Sequence, residues 1–312
     1  MTQTFVTDGH LQAELEQVVA RELDRHLSMA KDWYPHEYIP WSEGEDFDGP
    51  LGGRAWSEDE QRFSEAARTS FIINLLTEDN LPSYHTEIAT NFSQDGAYAA
   101  WLGRWTAEEA RHAIAIRDYL VVTRSVDPRA LEDARMVHMQ EGFRAIHPGF
   151  LAGLTYVSFQ ELATRISHRN TGNASGEPVA EQLMARIALD ENLHMLFYRN
   201  VIEAAFEVTP DQTMSAVLGS VRDFAMPGHG IDGFGRKAVE IAVAGIYDLQ
   251  QHRDEVVMPV LRKWRVFDRD DFGPEGEQAR DELAALIADM DAQVSRFEER
   301  REALRARLSS RG

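Results

Sequence analysis

Two glutamate–histidine pairs in this sequence have the spacing and the residue types of a metal site. Within the mainly apolar segment 188–197, Glu191 lies three positions before His194, and the same Glu-x-x-His spacing recurs at Glu109 and His112. Residues i and i+3 share one face of a helix, so each carboxylate and its imidazole can reach the same ion. Burial of unpaired ionisable groups costs several kcal/mol, and a bound metal would offset that cost.

Two further glutamates strengthen this interpretation, because a single Glu-x-x-His arises readily by chance. Glu78 precedes Glu109 by 31 residues, and Glu161 precedes Glu191 by 30 residues. In a carboxylate-bridged di-iron bundle, two helices each supply Glu-x-x-His and two others each supply one glutamate, all pointing inward. The spacing therefore predicts two similar halves whose side chains converge on one site.

The predicted ligand set is rich in oxygen. Four carboxylates and two imidazoles suit iron or manganese better than zinc, which prefers fewer and softer ligands. Glu161 lies in the nearly uncharged segment 151–164, where an unpartnered carboxylate would be costly. An ion pair between Glu161 and Arg165, one helical turn later, is an alternative explanation for that glutamate. His85 and His168 are interpreted as packed core histidines.

The elements that must position these side chains are helices. Helical periodicity dominates the chain, and no segment alternates as a strand does, which predicts an all-α fold with residues 1–312 in a single domain. The capping box Ser57 to Glu60 predicts a helix that runs to about Glu78. Further helices are expected at 96–123, 150–170 and 178–207, the last two separated by the turn-like NTGNASGEP. The predicted bundle core is about 57–208, followed by a charged surface or partner-facing helix at about 275–308 with leucines at 283, 286, 304 and 308.

Composition excludes several classes of function. The formal net charge is −20, from 32 basic and 52 acidic residues, which argues against nucleic acid as a partner. The chain has no cysteine, so disulfides, thiolate metal sites and thiol nucleophiles are excluded. No apolar run approaches the ~20 residues that span a bilayer. The N-terminus lacks the plan of a signal peptide, and a cytoplasmic protein without a membrane span is expected.

Five segments carry a resemblance to a known family: TEDNLPSY, RWTAEEARH, SFQELATRISHRNTG, DENLH and WYPHEYIP. They resemble the soluble acyl-(acyl-carrier-protein) desaturases, which belong to the ferritin-like di-iron superfamily. The resemblance extends from about residue 30 to 200 and more weakly to about 270. It implies a ferritin-like four-helix bundle core with additional helices. It also implies O2-dependent desaturation of a fatty acyl chain on acyl carrier protein, a ferredoxin-like electron donor and a homodimer.

The resemblance also assigns roles to individual positions. Thr164 matches a threonine near the oxygen-binding side, and Trp105 matches an aromatic residue near the cluster. Glu108 and Asp190, each directly before a ligand glutamate, are candidate acceptors for histidine N–H groups. Manganese in the isolated protein is compatible with the same ligands. The implied ligands of two iron ions are Glu78, Glu109, His112, Glu161, Glu191 and His194.

Departures from the family pattern leave the reaction open. The family usually has Asn where this chain has Ala110, and a Lys-Arg pair where it has Asn192 and Leu193. An oxygenase or desaturase acting on a carrier-bound intermediate of a specialised pathway is therefore an alternative. Iron storage on a ferritin-like bundle ranks lower, because storage shells have little need for the long aromatic segment near the N-terminus. A protein that kept the fold and lost redox function, acting only as a binding partner, is a third alternative.

Substrate contacts are predicted more loosely. The aromatic segment 33–56 is expected to be an ordered covering loop, and it is a candidate lining for the acyl channel together with the apolar helix at 239–247. Acyl carrier protein is acidic, so a protein of net charge −20 needs a local basic surface to bind it. The candidate docking residues are Arg262, Lys263 and Arg265, with Lys31 as a weaker candidate. The chain length accepted, the position of the double bond and the natural reductant do not follow from the sequence.

Overall fold

The computed structural model describes residues 5–226, 231 and 233–309, with side chains up to residue 299. Within these residues the chain is helical, and its extended pairing is limited to an isolated bridge between Phe47 and Arg54. No helix in the described residues combines the length and apolar character needed to cross a membrane. The helices are α1 (Asp8–Met29), α2 (Glu65–Asp79), α3 (Leu81–Asn91), α4 (Gly96–Val122), α5 (Pro128–Glu141), α6 (Phe150–Ser175), α7 (Pro178–Val208), α8 (Pro210–Arg222), α9 (Phe234–Val243), α10 (Leu249–Gln251), α11 (Met258–Trp264) and α12 (Pro274–Ser309).

Four of these helices form the bundle. The helices α6 and α7 pack side by side, α2 packs against α4 and α6, and α4 packs against α7. The N-terminal helix α1 covers α4 and α7 from outside, and α8 lies against α6, α7 and α12. The all-α prediction is therefore confirmed, with a ferritin-like core and additional helices around it.

Two apolar clusters stabilise the bundle. One contains Trp101, Phe159 and Phe206 with aliphatic residues of α1, α6, α7 and α8. The other joins α2 to α4 and α7 and includes Phe71 and Tyr119. Removal of this surface from water is worth about 25 cal/mol per Å² of apolar area. The free energy gained by burial of the two apolar clusters offsets the cost of a polar centre between the helices.

The predicted start of the helix that leads to Glu78 was wrong, because this helix begins at Glu65 and not at the capping box of Ser57. Ser57 and Glu60 form the expected reciprocal capping box, but it closes only a single 3-10 turn, Glu58–Glu60. Gln61 then adopts an extended conformation with ψ 136°, which ends that turn. The helix α2 starts afterwards, with the Ser64 side chain accepting a hydrogen bond from the Ala67 N–H. A capping box specifies a helical turn, and the following residues decide whether the helix continues.

The turn predicted between the two long helices is shorter than NTGNASGEP. The helix α6 continues through Ser175. Between it and α7 lie only two residues, Gly176, with φ 69°, and Glu177. Thr171 and Gly172 are buried. An ideal Cβ on Gly172 would lie 2.9 Å from Met184 Cβ on α7. Close packing of the two helices therefore keeps residues of low helix propensity helical.

The aromatic segment 33–56 covers the bundle only in part. Trp33 and Ile39 are buried, as expected. Tyr34 and Trp41 are 54% and 53% exposed, so these two aromatic rings do not form part of the predicted cover. The buried Arg124 guanidinium holds the far end of the segment, donating hydrogen bonds to the Arg54 and Ala55 carbonyls.

The charged C-terminal helix is present as α12 and packs against α8. Leu283 is fully buried and Leu286 is half-buried, while the charged positions around them face solvent. The side chains of Leu304 and Leu308 lie outside the described residues. The helix is therefore a surface helix attached through one apolar stripe.

A buried polar ladder aligns α2 with α6. Ser70 Oγ lies 2.6 Å from Thr171 Oγ1, and Asn74 Nδ2 donates to the same Thr171 oxygen over 3.1 Å. The Ser167 hydroxyl donates to Asn74 Oδ1 over 2.9 Å. Because each of these groups would be costly if unpaired, the ladder favours one register of the two helices. That register places Glu78, the next turn of α2, against α6.

The contact at Gly172 gives a stability prediction. We expect Gly172→Leu to lower the free energy of unfolding by about 1–3 kcal/mol, because the new side chain collides with the α7 backbone at Glu181 and with Met184. The measurement is urea unfolding followed by circular dichroism. Gly103→Leu is the matched control, since Gly103 is helical, exposed and has open space around its Cβ position. Equal midpoints for the two variants would contradict the prediction.

Candidate metal centre

The structure brings the six predicted side chains together from four helices. Glu78 comes from α2, Glu161 from α6, and the two Glu-x-x-His pairs from α4 and α7. All six are less than 9% exposed. Their ligand atoms form two groups able to hold a metal, in each of which the atoms lie within 4.8 Å of one another: Glu78, Glu109, His112 and Glu191 in one, and Glu109, Glu161, Glu191 and His194 in the other.

Two carboxylates belong to both groups. Glu191 Oε1 lies 3.1 Å from His112 Nδ1, and Glu109 Oε1 lies 2.8 Å from His194 Nδ1. Glu109 therefore approaches the histidine of the opposite pair more closely than that of its own, since His112 Nδ1 is 3.8 Å from Glu109. Glu161 Oε2 closes the second group at 3.5 Å from His194 Nδ1. The arrangement suits two ions that share carboxylates.

The chemistry of the inner atoms fits metal ions. Five buried atoms of the cluster make no hydrogen bond, although such atoms are normally paired. They are the atoms that face the centre, while the outer nitrogens of both histidines are hydrogen-bonded. Cations bound among them would satisfy carboxylate oxygens and imidazole lone pairs together. The five atoms are Glu109 Oε1, His112 Nδ1, Glu161 Oε2, Glu191 Oε1 and His194 Nδ1.

Crowding of the carboxylates separates their pKa values. Burial and the charges of Glu191 and Glu78 raise the pKa of Glu109 to about 8. Burial, with Glu109 and Glu191 nearby, raises the pKa of Glu161 well above its usual range. Burial also opposes the ionisation of Glu191, but the adjacent His112 imidazole lowers its pKa to about 2. Without a metal, the site therefore keeps protons on some carboxylates at neutral pH.

Asp190 is the hydrogen-bond partner of the first ligand histidine. Its Oδ2 lies 3.4 Å from His112 Nε2 and accepts hydrogen bonds of 2.7 Å from Trp33 Nε1 and from Arg111. Arg186 binds the other oxygen. Burial opposes ionisation of Asp190, yet the hydrogen bond from His112 lowers its pKa to about 2. An ionised acceptor orients the imidazole with its Nδ1 toward the centre.

Glu108 has the matching place beside the second ligand histidine. Its Oε2 lies 3.0 Å from His194 Nε2, and Arg104 binds Oε1. Burial would raise the pKa of Glu108, but hydrogen bonds from His194 and His26 hold it below its ordinary value. The two carboxylates thus bind across the bundle, Glu108 of α4 to the α7 histidine and Asp190 of α7 to the α4 histidine.

Thr164 and Trp105 contact the cluster through its carboxylates. The Thr164 hydroxyl lies 3.0 Å from Glu191 Oε2 and also 3.0 Å from the Glu161 carbonyl. Trp105 Nε1 donates a hydrogen bond of 3.0 Å to Glu161 Oε1. Both residues therefore orient carboxylates of the cluster. The reactive roles that the resemblance implies for them stay predictions.

Two histidines at the centre were not identified as site residues from the sequence. His168 is buried as expected, but its Nε2 lies 2.7 Å from Glu78 Oε1. His26, on α1, lies 2.9 Å from Glu108 Oε2. The available signals were weak: His168 follows Glu161 by two helical turns, and His26 follows the buried Val19 by the same spacing on the apolar stripe of α1.

Two other interpretations from the sequence concerned Glu161 and His85. Glu161 is paired with Trp105 and His194, and no ion pair joins it to Arg165 among the described side chains. The alternative explanation of Glu161 was therefore wrong. His85 bonds Thr106 over 2.8 Å and takes no part in the cluster.

A cavity of about 310 Å³ leads to the cluster. Its inner wall includes Glu78, Glu109 and Trp105, and its outer wall includes the exposed Arg144 and Ile146. Neither segment 33–56 nor helix 239–247, the predicted candidates for an acyl channel, contributes to the lining of this cavity. Residues of 239–247 instead line a more open cavity of about 660 Å³ that shares only Ala225 and Met226 with the first. No sequence pattern indicated a lining that comes largely from α3, α6 and the segments after α5 and α8.

The predicted docking residues all lie on the surface. Arg262, Lys263, Arg265 and Lys31 are exposed. Lys263 Nζ is 2.8 Å from Glu203 Oε2, so part of this basic group is neutralised locally. None of the four lines the cavity that leads to the cluster.

The comparisons with known proteins agree with one another. A family model described as fatty acid desaturase matches residues 8–310. The chain is 56% identical over 301 residues to DesA1 of Mycobacterium tuberculosis H37Rv, named as an acyl-[acyl-carrier-protein] desaturase, with 94% of this chain and 89% of DesA1 covered. It is 30% identical over 298 residues to the chloroplastic stearoyl-[acyl-carrier-protein] 9-desaturase 2 of Oryza sativa subsp. japonica, with 88% and 72% covered. The X-ray structure of DesA2 from M. tuberculosis H37Rv superposes with a TM-score of 0.72 at 32% identity, covering 86% of this chain and 98% of DesA2.

The pKa values give a prediction for metal loading. Because the pKa of Glu109 is about 8 and that of Glu161 is also raised, a divalent cation must displace protons at neutral pH. We expect Mn²⁺ binding to metal-free protein to release protons, and to tighten as the pH rises through about 8. Calorimetric titration in two buffers of different ionisation enthalpy measures the release. Glu109→Gln should release fewer protons, and a binding affinity that does not change with pH would contradict the expectation.

Proposed function

The chain belongs to the acyl-[acyl-carrier-protein] desaturase family of fatty acid desaturases, which are oxidoreductases, and from this premise we propose its reaction. The proposal is O2-dependent desaturation of a fatty acyl chain carried on acyl carrier protein, at a carboxylate-bridged di-iron centre. Electrons come from a ferredoxin-like donor. The ligands of the two irons are the six residues of the cluster.

One observation carries the proposal: the cavity and the cluster share a wall. The cavity is lined mainly by apolar groups such as Ile88, Phe92 and Val157, and it reaches the carboxylates of Glu78 and Glu109. An apolar lining that ends at a polar metal site suits a long hydrocarbon substrate whose reacting carbons are held beside the metals.

Two reduced irons bound among these ligands would let O2 serve as the oxidant that removes two hydrogens from an unactivated methylene pair, chemistry that no side chain supplies. The chain's own residues hold the ligands in place. Asp190 and Glu108 fix the orientations of His112 and His194 through their Nε2 atoms. Trp105 holds Glu161, and it also forms part of the cavity wall.

Water exclusion is the second task of the protein. The fully buried Trp101 packs against the His194 ring at a centroid distance of 6.1 Å and stacks on the buried Phe197. The apolar surroundings strengthen electrostatic interactions within the site and protect a reactive centre from side reactions. The cavity whose rim carries Arg144 is the proposed route of substrate entry.

The partner proteins, and the residues that bind them, stay predictions. Binding of acidic acyl carrier protein at Arg262, Lys263, Arg265 and Lys31 is proposed on charge complementarity. Arg144 joins this set because it is exposed at the rim of the cavity that the acyl chain must enter. The ferredoxin-like donor, the homodimer and the cytoplasmic location likewise remain part of the proposal.

The first test is metal content followed by single turnover. We expect about two irons per chain in the wild type, and less iron in Glu161→Ala and His194→Ala, which each lose a ligand. The loaded, reduced protein should convert an acyl carrier substrate and O2 to a product that has lost two hydrogens, read by mass spectrometry. Glu181→Ala, on the exposed side of α7, is the matched control.

Other outcomes of the same experiment select the alternatives. A product that has gained oxygen would favour the oxygenase. Iron bound in a large shell without turnover would favour storage. A wild-type protein that takes up no iron, even under anaerobic loading, would contradict the proposed function.

The second test concerns the cavity. Gly153 lines it on α6, and a Cβ at this position would meet nothing within 4 Å. We expect Gly153→Leu to fold normally and to shift activity toward shorter acyl chains, because the new side chain occupies part of the cavity. The measurement is kcat/KM on carrier substrates of graded chain length.

Gly103→Leu is the control for this test, since it adds the same side chain to an exposed helical position away from the cavity. An unchanged chain-length profile in Gly153→Leu, with iron content as in the wild type, would show that the acyl chain lies elsewhere. The di-iron proposal would survive that result.

A further inference from the structure

The helix α1 reaches the centre of the molecule although it lies outside the four bundle helices. It carries His26, which is fully buried where α1 packs on α4 and α7. His26 Nε2 lies 2.9 Å from Glu108 Oε2, and the same oxygen lies 3.0 Å from His194 Nε2. One carboxylate oxygen therefore joins a histidine of α1 to a candidate metal ligand of α7.

The chemistry of Glu108 decides which groups donate. An ionised carboxylate has only acceptor sites, so both imidazoles contribute an N–H through Nε2. For His194 this tautomer leaves the Nδ1 lone pair facing Glu109, 2.8 Å away, and Glu161, 3.5 Å away. Arg104 occupies the other oxygen of Glu108. With three donors on two oxygens, the carboxylate has little freedom to rotate.

Aromatic packing fixes His26 itself. Its ring meets the edge of Trp101 at a centroid distance of 5.0 Å and stacks on His194 at 5.7 Å. Trp101 is held in turn by Phe197, at 3.5 Å. The histidine therefore cannot move away from Glu108 without disturbing the packing of three aromatic rings.

A third metal ion is a competing explanation for this triad. The ligand atoms of His26, Glu108 and His194 lie close enough to hold a cation. Two features disfavour it. Arg104 already neutralises Glu108, and the nitrogen–oxygen distances of 2.9 and 3.0 Å are those of hydrogen bonds. A metal at the triad would also take the His194 nitrogen that orients the ring.

We propose that His26 is a positioning residue for the metal centre: its N–H fixes Glu108, and Glu108 fixes His194 with Nδ1 toward the carboxylates. This inference rests on the proposed di-iron site. It makes α1 part of the metal-binding apparatus, although α1 contributes no ligand. Loss of the partner of a ligand histidine typically costs about 10–100-fold in metal affinity or activity, and loss of His26 acts through that partner, Glu108.

The experiment is anaerobic titration of metal-free protein with Fe²⁺ against a competing chelator. His26→Phe keeps an aromatic ring and removes the donor, so we expect it to weaken one of the two bound irons by about 10–100-fold and to leave the other unchanged. His26→Gln retains an N–H donor and should bind close to the wild type. His252→Phe is the control for loss of a buried imidazole. The ring of His252 is buried and contacts Phe224 and Tyr247, and no atom of it belongs to the cluster.

The outcomes separate this inference from the proposed function. Two irons in the wild type with equal affinities in His26→Phe would overturn the positioning role and leave the di-iron site standing. Weakening of both irons together in His26→Phe, His26→Gln and His252→Phe alike would also overturn it, because that pattern indicates general destabilisation. Three metals in the wild type and two in His26→Phe would favour a metal at the triad. No iron in the wild type would overturn both proposals.

Discussion

The mutual repulsion of four buried carboxylates governs the pKa values, the stability and the metal affinity of the centre of this bundle. The four carboxylates lie close together in a buried site, so neither solvent screening nor separation weakens their repulsion. They belong to Glu78, Glu109, Glu161 and Glu191. Burial and this repulsion raise the pKa of Glu109 to about 8, whereas the His112 imidazole lowers the pKa of Glu191 to about 2. Such a centre costs stability in the apolar core around it, and bound cations would convert that cost into affinity for metal.

The surrounding polar groups follow a crossed pattern that links the two halves of the bundle. The acidic residue before each bridging glutamate accepts from the histidine of the other half, Glu108 from His194 and Asp190 from His112. Sliding α4 along α7 would break both interactions at once. The hydrogen bonds that orient the candidate ligands therefore also fix the register of the helices that carry them.

Segments outside the bundle complete the site. The N-terminal part of the chain supplies one donor to each outer carboxylate, His26 to Glu108 and Trp33 to Asp190. On the opposite approach, α3, α6 and the segment 142–147 enclose the cavity that ends at Glu78 and Glu109. The hydrogen bonds to the outer carboxylates and the walls of the cavity thus come from different peripheral elements.

The helical class and the six side chains that converge could be predicted from the amino-acid sequence alone. The i to i+3 spacing within α4 and α7 is a property of any helix, so each Glu-x-x-His pair follows from local geometry. The sequence did not determine the start of α2, the full length of α6, the cavity lining, or the parts played by His26 and His168. These features could not be predicted, because each depends on which helices pack together and in which register. His26 and Glu108 are 82 residues apart, and no local rule brings them within a hydrogen bond until α1 lies across α4 and α7.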